Sequence, residues 1–165
     1  MNSEPALIAR GHLAILGGGV MGTAICRGVW SRHLVAPESV VVADTDPAQR
    51  ARLHRSEGVT VVAAAEDALT DAALVVLAIK PQVYPTVATA IAGRVPESAL
   101  VVSIMAGISL DRMRMDLAHE AVVRVMPNAA ARVLESASVW IAAPGVSAAQ
   151  RSQVERLLRA LGDAV

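Results

Sequence analysis

Three short stretches carry the side chains best suited to chemistry. The first is "GGGVMG", residues 17–22, where Gly17, Gly19 and Gly22 fall at G-x-G-x-x-G spacing behind an apolar run and ahead of a helix-like segment. A tight turn, a close backbone approach to a pyrophosphate and close helix–strand packing each require a missing side chain. The helix that follows offers its unpaired N–H groups and positive dipole end to phosphate oxygens. Gly18, Val20 and Met21 complete the segment, so residues 17–22 form a candidate diphosphate loop. The second stretch is "VVVAD", whose terminal Asp44 lies about twenty residues beyond the glycines, where a carboxylate accepts hydrogen bonds from the adenosine ribose. Such a carboxylate repels a 2′-phosphate and, taken alone, favours NADH over NADPH; Thr45, Arg50 and Arg52 stand close enough in sequence to compensate.

The third stretch is "LAIKPQVY", residues 77–84, which contains the one lysine among 15 Lys and Arg residues. Pro81 has no N–H to give, so it ends the strand ladder and starts the next helix, which orients Lys80 beside it. "AIKP" is then one of the strand ends at which a doubly wound sheet binds ligands, and Lys80 can meet a phosphate or ribose there as a point charge. Two further strand ends invite inspection: "SIMAG", residues 103–107, is small enough to let a ring or ribose lie against the backbone, and "RVMPN", residues 124–128, ends on the amide of Asn128.

The elements that must position these residues are legible as continuous apolar runs alternating with helix-like segments, the pattern of strands buried on both faces. Strands are predicted at 12–17, 39–44, 59–63, 73–79, 99–104, 121–126 and 138–143, and helices at about 20–32, 47–56, 82–93, 109–117 and 147–161, with a short turn near 66–70. Asp46-Pro47 supplies an N-cap with proline at the first helical position, and Ser147 with Gln150 makes a capping box. Gly162 is expected to end the last helix, with Ala164-Val165 opening another strand. The fold class is α/β: a doubly wound, mostly parallel sheet with helices on both faces. Residues 1–165 are expected to be a single dinucleotide-binding domain, with 1–11 as a flexible extension.

Composition narrows the function classes. The chain is 54% hydrophobic and 18% charged, oilier than the average of about 45–50% apolar and about 25% charged. No apolar run approaches the roughly 18 residues of a membrane span, and the start lacks a signal-peptide pattern, so a cytoplasmic location is expected. A net charge of +0 and 2% aromatic residues give neither a basic field nor a stacking surface for nucleic acid. Cys26 is alone, and His12, His33, His54 and His119 show no ligand spacing, so no metal site is expected.

Taken together and in order, "AILGGGVMG", "LAIKPQV", "VVSIMAGISLDRM" and "VVRVMPNAAARV" resemble the amino-terminal half of pyrroline-5-carboxylate reductases. The resemblance implies a Rossmann domain that binds NADPH or NADH, reduction of 1-pyrroline-5-carboxylate to L-proline by hydride transfer, and a following all-helical domain that makes homo-oligomers. It places Gly17 to Gly22 at the pyrophosphate, Ala78 to Pro81 along the cofactor, Met105, Ala106 and Gly107 near the nicotinamide ribose, and Asn128 at the inner edge of the site next to the substrate. It assigns no catalytic proton donor. Where the family continues M-P-N-T-P this chain has Ala129 and Ala130, and the family's helical domain is absent, so the chain alone is expected to be weakly active or inactive. Two other readings stay open: another oxidoreductase of the 6-phosphogluconate or hydroxyacid dehydrogenase type, and a non-catalytic nucleotide-binding or regulatory protein.

Overall fold

The computed structural model describes residues 7–127 and 136–164. Eight strands, β1 (His12–Leu16), β2 (Val40–Ala43), β3 (Thr60–Val62), β4 (Ala72–Leu77), β5 (Leu100–Ser103), β6 (Val122–Pro127), β7 (Ser136–Ala142) and β8 (Gly162–Ala164), form one sheet in the order β3-β2-β1-β4-β5-β6-β7-β8. The first six are mutually parallel; β7 runs antiparallel to β6, and β8 parallel to β7. From β1 the chain winds outward through β2 and β3, then returns to place β4 on the other side of β1. Above the β1–β4 boundary the order reverses, and such a reversal leaves a crevice at the carboxyl ends of the strands.

Strand residues alternate between two apolar layers. Leu13, Ile15, Val42, Val76 and Val102 face α1 (Val20–Ser31), α2 (Pro47–Glu57) and α5 (Ala148–Arg159). Ala14, Leu16, Val75, Leu77 and Val101 face α3 (Tyr84–Ile91) and α4 (Leu110–Leu117). Burial on both faces explains why the strands read as unbroken apolar runs. Along α5 the 3.6-residue period puts Val154, Leu157 and Leu158 on the sheet, each burial contributing about 2 kcal/mol.

Three local expectations are corrected. The segment expected as a helix from residue 82 opens with a 3-10 turn, Pro81–Val83, before α3 begins at Tyr84, because Pro81 and Pro85 each lack the N–H of a regular α-turn. Gly162 does not close α5; the helix ends at Arg159 and Gly162, paired with Ser136, opens β8. The expected flexible extension is docked from Leu7 onward: its side chain is buried, its N–H donates to the Leu34 carbonyl at 3.3 Å, and its carbonyl accepts from Gln153 Nε2 at 2.8 Å.

Burial in the α1 layer pushes the Cys26 thiol up from 9.0 to about 12, with the Glu57 carboxylate adding to the effect. The unfolded chain therefore loses this proton first, so the thiol's contribution to stability is complete below pH 9 and falls as the pH rises toward 12. At about pH 10.5 the loss due to Cys26 is about 2 kcal/mol. Urea unfolding near pH 8 and near pH 10.5 checks this, with Cys26→Ala expected to lose that much less than the parent; equal losses would assign the alkaline instability elsewhere.

Candidate functional site

The glycine loop occupies the turn from β1 into α1. Gly17 takes φ +103°, which L side chains rarely adopt, and a Cβ there would meet the Ala78 carbonyl oxygen at 2.6 Å. At Gly22 a Cβ would stand 2.0 Å from the Gly17 carbonyl oxygen, so the first turn of α1 lies directly on the loop. Gly19 has nothing within 4 Å of that position and is open to solvent. The first and third glycines thus satisfy packing inside the protein, while the second leaves room outside it.

Gly19 is also the N-cap of α1, and no side chain caps it; the first turn carries no acidic residue. By contrast α2, α4 and α5 are capped by Asp46, Ser109 and Ser147. The orphan N–H groups and dipole of α1 therefore remain available to an anion.

Above the β1–β4 boundary lies a cavity of about 520 Å³ lined by Gly17 and Gly19 from the loop, Asp44 and Thr45 after β2, Ala63 and Ala65 after β3, Ala78, Ile79 and Lys80 after β4, and Val83, Thr86 and Val87 leading into α3. That volume falls within the roughly 300–1,000 Å³ of small-molecule sites. A larger depression of about 830 Å³ lies at the amino ends of β5 and β6, beside Glu97, His119 and Glu120. There the α5 terminus is already satisfied by Ser147, whose Oγ accepts from Gln150 N, so the crevice at the glycine loop is the better anion site.

Six of the predicted residues, Gly17, Gly19, Asp44, Ala78, Ile79 and Lys80, line the crevice. Lys80 stands three residues beyond β4, exposed at the mouth, with its backbone held extended (φ −69°, ψ 140°) ahead of Pro81. Asp44 Oδ2 accepts from Gly18 N at 2.8 Å and Oδ1 from Asp46 N at 2.9 Å, so the carboxylate anchors the loop and also caps the turn after β2. Arg50 turns inward: its Nη1 donates to the carbonyls of Asp44 and Thr45 at 2.8 and 3.0 Å. Arg52 turns instead to Gln49 and Thr23.

Others are placed apart. Gly18 and Gly22 are buried beneath the loop, and Val20 and Met21 start α1 outside the cavity lining. The Met105 side chain is 2% exposed and packs in the core beside α3 and α4, so at 105–107 only backbone, Ala106 and Gly107 face outward at the β5 end. Asn128, like Ala129 and Ala130, lies outside the described residues. Val83, Thr86 and Val87 were not anticipated; their signal was the proline pair around the start of α3, which turns this helix's first residues toward the crevice.

The two weak acids with displaced pKa values play no part there. Burial holds the Cys26 thiol protonated. Burial, then the nearby Asp116 carboxylate, pushes the Tyr84 hydroxyl up to about 12, and that side chain is enclosed in the α3–α4 layer. Among the described residues no group of three or more His, Cys, Asp or Glu could hold a metal ion.

A reversal of strand order, a glycine loop and an uncapped helix terminus define a dinucleotide-type Rossmann domain, and the chain belongs to the family described as NADP oxidoreductase coenzyme F420-dependent, matched over residues 12–107. Within that class nearly the whole chain is similar to the amino-terminal part of pyrroline-5-carboxylate reductases. The enzyme of that name from Synechocystis is 33% identical over 154 residues, covering 93% of this chain and 57% of the relative. A solved pyrroline-5-carboxylate reductase from Coxiella burnetii superposes with a TM-score of 0.88 at 24% identity, over 94% of this chain and 58% of that one. The Plasmodium falciparum pyrroline carboxylate reductase, solved with NADP bound, gives 0.81 at 20% identity over 93% and 56%. The chain therefore spans a little over half the length of the relatives it matches.

Proposed function

We propose that this chain is the cofactor-binding part of an NAD(P)H-dependent reductase that converts 1-pyrroline-5-carboxylate to L-proline. The observation that carries the reading is the uncapped α1 terminus opening onto the switch-point crevice beneath a G-x-G-x-x-G loop. Sequence likeness to pyrroline-5-carboxylate reductases along nearly the whole chain supports the substrate. The room left at Gly19 fits a dinucleotide, since a diphosphate needs that space and those N–H groups. When bound, the reduced nicotinamide supplies the hydride. The chain's own residues then bind and orient: Gly19 and the first turn of α1 take the diphosphate, Asp44 and Thr45 meet the adenosine ribose, and Ile79 and Lys80 wall the path across the β4 end. Met105 to Gly107 would contribute backbone near the nicotinamide ribose, and Asn128 would meet the substrate. A homo-oligomer and a cytoplasmic location belong to the same reading.

The test is oxidation of NADPH and NADH in the presence of pyrroline-5-carboxylate by a protein that carries this chain and extends past Val165, followed by the loss of reduced-nicotinamide absorbance. Substrate-dependent turnover is expected; tight dinucleotide binding with no turnover would favour the regulatory reading.

Asp44→Ala removes the acceptor of two backbone N–H groups, Gly18 and Asp46, as well as a charge at the ribose. Affinity for both dinucleotides is expected to fall about tenfold, the cost of one unsatisfied N–H, and any preference for NADH over NADPH is expected to narrow. Fluorescence titration with each cofactor checks it. An unchanged ratio would confine Asp44 to anchoring the loop, and unchanged affinities would remove it from both roles.

A further inference from the structure

The Gly18 peptide is gripped from below by a closed ring of side chains. Its carbonyl oxygen accepts from Thr23 Oγ1 at 3.2 Å and from Gln49 Nε2. Gln49 Oε1 accepts from Arg52 Nε at 3.2 Å, and Arg52 Nη2 donates to Thr23 Oγ1 at 3.0 Å, which closes the ring. The ring joins the glycine loop, α1 and α2 through residues 31 positions apart for Gly18–Gln49 and 29 for Thr23–Arg52.

A trans peptide is planar, so its C=O and the following N–H point in opposite directions. With the Gly18 carbonyl held down into the ring, the N–H of Gly19 must point up, and Gly19 lines the crevice. Both residues flanking that peptide are glycines with little steric resistance to its rotation, so side chains elsewhere must hold it. We infer that Thr23, Gln49 and Arg52 form a latch that fixes the orientation of the Gly18–Gly19 peptide and keeps the Gly19 N–H aimed at the cofactor diphosphate. These are positioning residues, acting through the loop rather than by contact with ligand. The inference rests on the proposed dinucleotide site.

Binding of NADPH and NADH to the 165-residue chain, read by nicotinamide fluorescence, tests it alongside thermal unfolding. Arg52→Met and Thr23→Val are each expected to weaken the better-bound cofactor about tenfold, with the melting temperature of Arg52→Met within about 2 °C of the parent since that side chain is partly exposed. Because the ring acts as a unit, the double variant should be no more than about threefold weaker than either single variant. Arg52→Lys is the deciding arm: a lysine keeps the charge but lacks the fork that reaches Gln49 and Thr23 together. The latch predicts that Arg52→Lys binds as poorly as Arg52→Met. Parental affinity in Arg52→Lys would show simple charge attraction and overturn it, as would multiplicative losses in the double variant or unchanged affinity in all three. If Thr23→Val lowers stability, the Arg52 pair decides alone. A parent that binds neither dinucleotide would overturn the underlying site reading and the latch with it, a result distinct from the others.

Discussion

Gly22→Ala is expected to abolish measurable dinucleotide binding and to lower unfolding free energy by about 3 kcal/mol, the upper range for an overpacked core position. The added methyl would lie 2.0 Å from the Gly17 carbonyl oxygen, 3.1 Å from its carbonyl carbon and 3.3 Å from Ile15 Cγ2. Two of these three atoms are backbone, so no rotamer change relieves the contact. The loop must move away from α1, and Gly17 cannot follow freely because its own amide donates to the Ala43 carbonyl at 2.8 Å. Strain and loss of the diphosphate cradle therefore arrive together. Gly19→Ala provides the contrast. Its Cβ meets nothing, and with φ −66° it carries no backbone penalty. That variant should unfold at the parent's urea midpoint yet bind cofactor poorly, because the methyl stands where the diphosphate approaches. Parental stability and binding in Gly22→Ala would mean that the loop is far more yielding than its contacts imply.

Lys80→Ala is expected to weaken cofactor binding about tenfold, the scale of one charge-assisted contact, while leaving stability unchanged. Lys80 is exposed and, among the described residues, its ammonium group makes no hydrogen bond or ion pair, so nothing in the fold depends on that charge. Its place at the mouth of the crevice gives the charge one evident use, attraction of an anionic ligand. The effect should appear in the Michaelis constant for cofactor more than in the maximal rate, because the proposed site puts the group along the dinucleotide and not at a reacting atom. It should also shrink in salt: at about 1 M ionic strength the screening length is about 3 Å, and parent and variant should converge. Equal affinity of the two proteins at low salt would return Lys80 to the role of a solvated strand-end residue.

The parts of the site that could be read in advance share a physical character. Each strand lies inside or within two residues of its predicted span, because burial on both faces demands unbroken apolar runs and because Pro, Gly or Asp marks most of their ends. Asp46 and Ser147 do cap α2 and α5, since a cap is a contact over two or three residues. The glycine loop was legible for the same reason: the contact of Gly22 with the Gly17 carbonyl spans five residues, and only glycine permits it.

What could not be read depends on groups far apart in sequence. Nothing local indicates that Gln49 and Arg52 reach across to Gly18 and Thr23, or that Met105 packs in the core instead of facing a ligand. Each outcome depends on which helix lies over which strand. Local chemistry in this chain determined an α/β sheet with a glycine loop, an acidic second strand end and a lysine beside a proline. The tertiary arrangement decided which of those groups share a crevice and which way the Gly18–Gly19 peptide faces, because that orientation is held by hydrogen bonds from two helices that the sheet brings side by side.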